Sequence, residues 1–485
     1  MNDHTMNDHT KNPPTTLGKQ GKKSKNLKKI KKFWVSSNTG KVRFTFKEAL
    51  LRKWLKQQGY YRNDDFQVLK VKDNIAQSKT PQEVLNDVIA YIEKYNDDEL
   101  MTCALKQCEE MLNKRKGILI SLPLFPLEKY FYTKYEALIP YLNGIAVITA
   151  SGYYFESYKK FKQRNKFIYA KQIIQRNFDE NGNEKGDFAK FSSFVTNDKK
   201  HLLNYRTTIG YLISTYKNPS IARAVIISDI QSQIANEPLG RTGKGIVIKG
   251  LSHIVQTTEY NGKATDLKND KFVYQNVTVL TALMVIQDVS KGFVFESLFS
   301  TLTDSMSVER KYQSKKTIDF SHSPKIALTT NYTIPQDTDS FKDRKHLLML
   351  NNFFNAENKP EKHFKRMLFD WNEKEWAKFD KYMVECVRLF LEKGLVSYSD
   401  KKFERQKLIN QTSEEFVELM ESEYDILNHF FSIKEVANEL EIESESDNAK
   451  SRIVGGWIDL YAAYKCHNVD RAKLGGGLTK ICFRP

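Results

Sequence analysis

Apolar runs of strand length alternate with helix-length segments in the middle of the chain, and this alternation predicts an α/β core with a mainly parallel sheet. Buried strands are predicted at residues 222–229, 277–288 and 324–331. Helices are predicted at 199–217, where the apolar positions follow an amphipathic pattern, and at 373–393, where Gly394 ends the helix. We therefore expect one α/β domain over residues 196–400.

The segment before this core predicts an α+β region over residues 33–195. Residues 33–35 and 41–46 predict a hairpin, and the helix that follows runs to a cap at Gly59. The aromatic residues of 188–194 alternate with lysine and serine; we interpret them as core, with base stacking as the alternative. No apolar strand in this region carries the Asp-x-Asp pair that a primase metal site needs, so no primase activity is expected.

Residues 413–485 follow the core as a separate predicted domain. Helices near 432–440 and 451–461 precede a hairpin at 473–483, whose tip is Gly475-Gly476-Gly477. Helices followed by a terminal hairpin favour a winged-helix-like domain, which commonly binds DNA. A protein–protein module is the alternative.

A glycine-containing turn with a lysine follows the first buried strand. Residues 236–245 read Asn-Glu-Pro-Leu-Gly-Arg-Thr-Gly-Lys-Gly, and the glycines allow backbone N–H groups to face phosphate oxygens. Lys244 adds a cation at the start of the next helix. Pro238 and Gly245 depart from the general phosphate-loop pattern at the first glycine and at the magnesium-binding hydroxyl. On this loop alone, an ordinary glycine-rich turn remains an equal alternative.

Polar side chains end the other two predicted strands. Gln287-Asp288 closes one and Thr329-Thr330-Asn331 closes the other, and Arg344 follows a loop thereafter. A carboxylate at a strand end suits magnesium, and a second polar tip suits an attacking water.

Four segments together resemble the motor of superfamily 3 helicases, of the primase-associated type found in phages, plasmids and other mobile elements. The segments lie in the same order as in that family, at 240–245, 285–296, 323–331 and 340–344, and the resemblance extends over roughly residues 200–395. It implies an AAA+ ATPase that uses ATP and Mg²⁺, assembles as a homo-hexamer and translocates on single-stranded DNA in the ring pore. A separate primase or polymerase is a further implied partner.

The resemblance also implies roles for individual residues. The loop Gly240, Arg241, Thr242, Gly243, Lys244 and Gly245 would hold the nucleotide, with Lys244 on the β- and γ-phosphates. Asp288 would serve the metal or polarise water, Asn331 would be the sensor and Arg344 the arginine finger. The segment 308–319 would form a pore hairpin, with Lys311, Lys315 and Lys316 on DNA phosphates. Gln287 stands where the family usually has an acid.

Charge agrees with a polyanionic partner. The net charge of the 485-residue chain is +17; residues 1–32, predicted as a disordered basic tail, hold nine lysines and two aspartates, which leaves +10 for the remainder. Five scattered cysteines favour reduced thiols, and no apolar run reaches the ~18 residues of a membrane span. These features favour the cytoplasm of a bacterial host, without membrane attachment.

Two functional hypotheses follow from the sequence. The first is an ATP-dependent DNA helicase for replication of a mobile element. The second is an ATP-binding initiator or loader scaffold with weak hydrolysis. Gln287, which replaces an acid usual in the family, is the residue that supports this alternative.

Overall fold

The structure is a computed structural model that describes most of the chain. The described residues are 30–39, 41–63, 66–113, 117–130, 132–230, 240–311, 315–332, 339–399, 401–444, 446–474 and 478–485. The predicted tail up to residue 29 and the first part of the predicted phosphate loop, residues 236–239, lie outside them. Two compact units are present: the described residues up to Lys72 with Gln77–Pro126, and Asp73–Ala76 with Leu127–Pro485.

The first unit joins three helices to short antiparallel strands around one aromatic core. Its elements are β1 (Trp34–Thr39), β2 (Lys41–Phe46), α1 (Glu48–Gln57), β3 (Tyr60–Arg62), β4 (Val68–Lys72), α2 (Pro81–Ile92) and α3 (Asp98–Asn113). The predicted hairpin is present as β1 and β2, and Gly59 takes a positive φ of 86° directly after α1. Thr80 and Glu83 form a reciprocal capping box that begins α2.

A five-stranded parallel sheet is the centre of the second unit. Its strands are β11 (Ala224–Asp229), β12 (Thr257–Asn261), β13 (Leu283–Val289), β16 (Lys325–Thr330) and β17 (Lys345–Leu350). They lie in the order β12-β13-β16-β11-β17, and every pairing among them is parallel. The predicted mixed α/β architecture with a parallel sheet is therefore confirmed.

Helices and smaller sheets cover both faces of this sheet. The helices are α4 (Tyr158–Phe161), α5 (Asp187–Phe194), α6 (Lys199–Ile213), α7 (Lys244–Ser252), α8 (Phe299–Thr303), α9 (Asp339–Lys342), α10 (Pro360–Phe364) and α11 (Glu373–Lys393). The remaining strands before residue 400 are β5 (Ile75–Lys79), β6 (Glu128–Lys129), β7 (Glu136–Tyr141), β8 (Gly144–Thr149), β9 (Gly152–Glu156), β10 (Lys166–Tyr169), β14 (Met306–Val308) and β15 (Lys316–Ile318).

Alternate residues of the parallel strands enter two different cores. Val225 and Val285 belong to the face that α5, α6, α7, α11 and the β7-β8-β9 meander cover. Ile226 and Ile286 belong to the opposite face, against α8, α9 and the β14-β15 hairpin. Burial on both faces explains why these strands appear in the sequence as continuous apolar runs.

The C-terminal residues form a separate apolar cluster. Their elements are α12 (Lys401–Gln411), α13 (Glu414–Leu419), β18 (Phe430–Ser432), α14 (Ile433–Glu439), α15 (Asp447–Lys465), β19 (Asn468–Leu474) and β20 (Leu478–Arg484). The three strands form an antiparallel sheet in the order β18-β20-β19. The two predicted helices and the terminal hairpin are present, and the glycine tip at 475–477 lies outside the described residues.

Two sequence predictions need correction. The strand predicted at 277–288 begins only at Leu283, because a turn at 279–280, closed by the hydrogen bond from the N–H of Thr281 to the carbonyl of Thr278, precedes it. The helix predicted at 199–217 is α6, which ends at Ile213, and several of its polar residues are buried: His201, Asn204, Thr207 and Thr208. His201 bonds the carbonyl of Met349 at 2.6 Å and Thr208 bonds the ring of His346 at 2.8 Å. These polar contacts fix α6 on β17, and the apolar pattern alone does not reveal them.

Within the described ranges, no helix is both long enough and apolar enough to span a bilayer.

Candidate nucleotide site

The predicted loop turns sharply into α7. Gly243 has a φ of 104° and immediately precedes the helix, and Arg241 also has a positive φ, of 73°. A Cβ placed on Gly243 would lie 2.8 Å from a ring carbon of the buried Phe191, so only glycine fits there. The N–H groups of Ile246 and Val247 bond the carbonyl of Gly243. The N–H groups that precede them at a helix start have no acceptor within the helix, which is the arrangement that binds anions.

Lys244 joins the loop to two strand ends. It is the first residue of α7, its side chain is only 10% exposed, and its ammonium donates to Asp229 Oδ2 at 2.5 Å. The same ammonium donates to Asn331 Oδ1 at 2.7 Å. Asp229 is fully buried at the end of β11, and its other carboxylate oxygen accepts a hydrogen bond from the hydroxyl of Thr242. The structure therefore brings Thr242, Lys244 and Asn331 together around Asp229.

Sequence reasoning did not assign Asp229. The residue was visible as the last position of the apolar strand 222–229, where a carboxylate directly precedes the loop. A charged residue at the end of an otherwise buried strand is the local signal that identifies it.

The tip of β16 is built from three consecutive polar residues. The hydroxyl of Thr329 accepts the backbone N–H of Asp288 at 2.9 Å, and that of Thr330 accepts the N–H of Tyr332 at 3.0 Å. Asn331 follows and meets Lys244. The hydroxyl of Thr330 also donates to the carbonyl of Val289 on β13 at 3.2 Å, so each residue of the predicted polar tip contacts a neighbouring element.

Asp288 lies in a β-bulge at the end of β13. The pairing of β13 with β16 shifts between Ile286 and Val289, and Asp288 has a positive φ of 55°. Its side chain is exposed, whereas the amide of Gln287 donates to the carboxylate of Glu259 on β12. A bulge re-aims the residue that it displaces. Asp288 is therefore the carboxylate presented at this strand end, and Gln287 is held against the neighbouring strand.

Arg344 lies at the amino ends of the parallel strands, opposite to the carboxyl ends where Lys244 lies. Its carbonyl accepts the N–H of Ala224, the first residue of β11, at 2.8 Å, and its guanidinium stacks over Phe299 at 4.7 Å. The five residue steps of β11 from Ala224 to Asp229 span ~17 Å. Because an arginine side chain is much shorter than this distance, Arg344 cannot reach the Lys244 site of its own chain.

The predicted basic hairpin exists as β14 and β15. Val308 pairs with Lys316, and the base of the hairpin is buried against the parallel sheet. Lys311 and Lys315 are exposed, and Lys315 lies 3.6 Å from Glu309. The tip at 312–314 lies outside the described residues. The hairpin therefore places lysines at the surface while its base is fixed in the core.

The order of the strands places a topological switch point at the candidate site. From β11 the chain continues through α7 to β12 on one side of the sheet, whereas β16 is followed by β17 on the other side of β11. In open α/β sheets, ligands bind at such a switch point, outside the carboxyl ends of the strands. Asp229 and Asn331 lie at these ends, and Lys244 lies above them.

The residues at this site fit a nucleoside triphosphate better than a metal ion held by the protein alone. The start of α7 and Lys244 provide hydrogen-bond donors and positive charge for phosphate. Among the described residues, no group of three or more His, Cys, Asp or Glu side chains lies together as a metal cluster. Magnesium needs only one or two carboxylates when it is bound with phosphates and water, and Asp288 meets that requirement.

The solved structures that match this chain include the two that follow. The apo A form of the NrS-1 C-terminal region matches with a TM-score of 0.42 and 11% identity over 90% of this chain and 98% of that one. A JCV helicase bound to an acetamide compound matches with a TM-score of 0.25 and 16% identity over 49% of this chain and 64% of that one. No protein-family profile and no curated protein sequence matches. At these TM-scores neither likeness carries an argument about function.

Proposed function

We propose that the chain is an ATP-driven DNA helicase, a ring-forming AAA+ motor of the superfamily 3 type. The observation that carries the proposal is the contact between Lys244, at the start of α7, and Asn331, at the tip of β16. These residues are 87 positions apart in the sequence, and their roles as phosphate lysine and sensor require them to meet. An ordinary glycine-rich turn does not require this contact.

The substrate ATP would occupy the crevice at the switch point. Gly240, Thr242, Gly243, Gly245 and the start of α7 would surround its phosphates, with Arg241 on the rim. Lys244 would neutralise the β- and γ-phosphates. Asn331 would orient the attacking water, since its side chain already lies within hydrogen-bond distance of the lysine.

Asp288 would hold Mg²⁺, and the ion would stabilise negative charge on the phosphates when bound. Neighbouring strands lie ~4.8 Å apart, so β13, two strands from β11, lies ~10 Å away from it. That separation leaves space for a phosphate group and its metal between Lys244 and Asp288. The bulge supports this role because it coincides with an exposed Asp288 at the end of β13.

Arg344 would act on the nucleotide of a neighbouring subunit. Because Arg344 lies at the amino ends of the strands, it cannot reach the nucleotide site of its own chain. A role in catalysis therefore requires a second copy of the chain. A closed ring, a hexamer in the family that the sequence resembles, supplies that copy at every interface.

Single-stranded DNA would pass the β14-β15 hairpin. Lys311, Lys315 and Lys316 would contact its phosphates, which agrees with the positive net charge of the chain.

We assign residues 413–485 to a winged-helix-like domain. They hold fourteen Asp and Glu residues against eight Lys and Arg, so their net charge is −6. This acidic balance favours the alternative that the domain contacts protein, and leaves DNA contact to the hairpin.

Phosphate release with and without single-stranded DNA tests the proposal, together with strand displacement on a forked duplex. Lys244→Ala should abolish ATP turnover, whereas Lys249→Ala, a matched change of an exposed lysine on the same helix, should retain it. Wild-type turnover by a folded Lys244→Ala variant would refute the nucleotide assignment.

A second candidate function is an ATP-binding loader scaffold. The contact of Gln287 with Glu259 supports it, because the side chain at the usual acid position is turned to the next strand. A scaffold would bind ATP yet show negligible DNA-stimulated turnover. Gln287→Asp would then raise turnover towards that of a motor, since it restores the second carboxylate.

A further inference from the structure

A fully buried carboxylate lies inside the site that we assign to phosphate. Asp229 accepts hydrogen bonds on both oxygens, from the Lys244 ammonium at 2.5 Å and from the Thr242 hydroxyl. An anion directly beneath a phosphate-binding lysine neutralises the cation that would attract the phosphate. This arrangement calls for an explanation beyond loop packing.

Among the described residues, the Lys244 ammonium has two side-chain partners, Asp229 and Asn331. The ammonium has three N–H donors, of which one bonds Asp229 and one bonds Asn331. The side chain is only 10% exposed, so an incoming phosphate must approach the ammonium over a narrow angle. A phosphate oxygen on the same ammonium would lie close to the Asp229 carboxylate, and the two anions would repel each other.

We propose that Asp229 is a positioning residue that competes with phosphate for Lys244. Its carboxylate holds the ammonium at the carboxyl ends of β11 and β16. It thereby lowers nucleotide affinity and favours release of ADP after hydrolysis. The inference rests on the proposed function, because it assigns a regulator to the same site.

The two oxygens of Asp229 have separable tasks. Oδ2 holds the lysine, and Oδ1 holds Thr242 and with it the turn before α7. Asparagine has nearly the same shape and retains one carbonyl oxygen for Thr242, but its amide nitrogen cannot accept a hydrogen bond from Lys244. Asp229→Asn therefore removes the carboxylate that competes for Lys244 and preserves the hydrogen bond with Thr242. Thr242→Val removes that hydrogen bond and preserves the competing carboxylate.

Equilibrium binding of ADP and ATP to the full-length chain, in EDTA and in Mg²⁺, tests the inference. Asp229→Asn should bind ADP at least tenfold more tightly than wild type in EDTA. Its KM for ATP and its kcat should both fall. The reason is that ADP dissociates more slowly when no carboxylate competes with the phosphates for the Lys244 ammonium. Thr242→Val should not bind ADP more tightly. Hydrogen exchange of the α7 amides verifies the fold, and Asp229→Ser, neutral and smaller, replaces Asp229→Asn if that variant does not fold.

Unchanged or weaker ADP binding by the neutral variant in EDTA would overturn the inference. Binding that weakens only in Mg²⁺ would also overturn it, by making Asp229 a metal ligand. An equal gain in Thr242→Val would assign the effect to loop order instead of charge. Failure of the proposed function itself is distinguishable, because wild type would then bind no nucleotide, or would bind it equally well after Lys244→Ala.

Discussion

Gly243 allows a sharp test of the turn that forms the candidate site. Alanine at this position must adopt a φ near 104°, which costs ~1–2 kcal/mol for a residue with a side chain. Its methyl group must also displace the buried ring of Phe191, which lies 2.8 Å from the position that the new Cβ would take, and such overpacking costs ~1–3 kcal/mol. We expect Gly243→Ala to destabilise this region by roughly 2–5 kcal/mol.

Gly245 is the matched control, two residues further along. It lies inside α7, has no heavy atom within 4 Å of its Cβ position, and has no positive φ. Gly245→Ala should therefore stabilise the helix by ~0.5–1 kcal/mol. Hydrogen–deuterium exchange of the α7 amides measures both effects locally, and the opening equilibria of the two variants should differ by roughly a hundredfold or more. Equal protection of α7 in the two variants would refute the described turn.

Three further predictions concern assembly, DNA and pH. Mixing Arg344→Ala with Lys244→Ala subunits should restore part of the ATP turnover, because one supplies the loop and the other the finger at a shared interface; inactive mixed rings would exclude a finger in trans. Neutralising Lys315 and Lys316 should weaken DNA binding and reduce the log–log salt slope by ~0.7 to 0.9 per lost contact, and an unchanged slope would place the DNA elsewhere. Burial lowers the pKa of Lys217 to about 8, so the unfolded chain binds more protons between pH 8 and 10.5 and stability from this residue rises with pH. Compared with Lys217→Met, wild type should gain about 2.5 kcal/mol in unfolding free energy from pH 7 to 10 in urea titrations, and a constant difference would contradict the shift.

The sequence was most informative where function depends on a local pattern. A lysine after a glycine turn predicts the start of α7. Polar residues that end a buried strand predict the tip of β16, since an apolar run identifies the strand and its last residues must reach the edge of the sheet. A hairpin was also expected at 308–319 from the position of this segment between two predicted strands and from the family resemblance, and β14 pairs with β15 there.

Features that depend on several elements at once were not predicted. The bulge at Asp288 arises from the pairing of β13 with β16, and no residue preference encodes it. The burial of the polar side of α6 depends on partners such as His346, which lies more than 130 positions further along the chain. The role of Asp229 depends on Thr242 and Lys244 folding back over the strand end. A local sequence pattern contains none of these long-range contacts.

The order of the strands explains which strand ends the lysine contacts. Because β16 lies between β11 and β13, Lys244 meets the ends of the two adjacent strands, at Asp229 and Asn331, while Asp288 is one strand further away. A lysine bonded directly to Asp288 would neutralise the carboxylate that we assign to the metal. The neutral amide of Asn331, on the intervening strand β16, separates the Lys244 ammonium from the Asp288 carboxylate. The buried carboxylate of Asp229 pairs with the ammonium instead. The same sheet order thus pairs the Lys244 ammonium with Asp229 and leaves Asp288 as an exposed carboxylate at the end of β13.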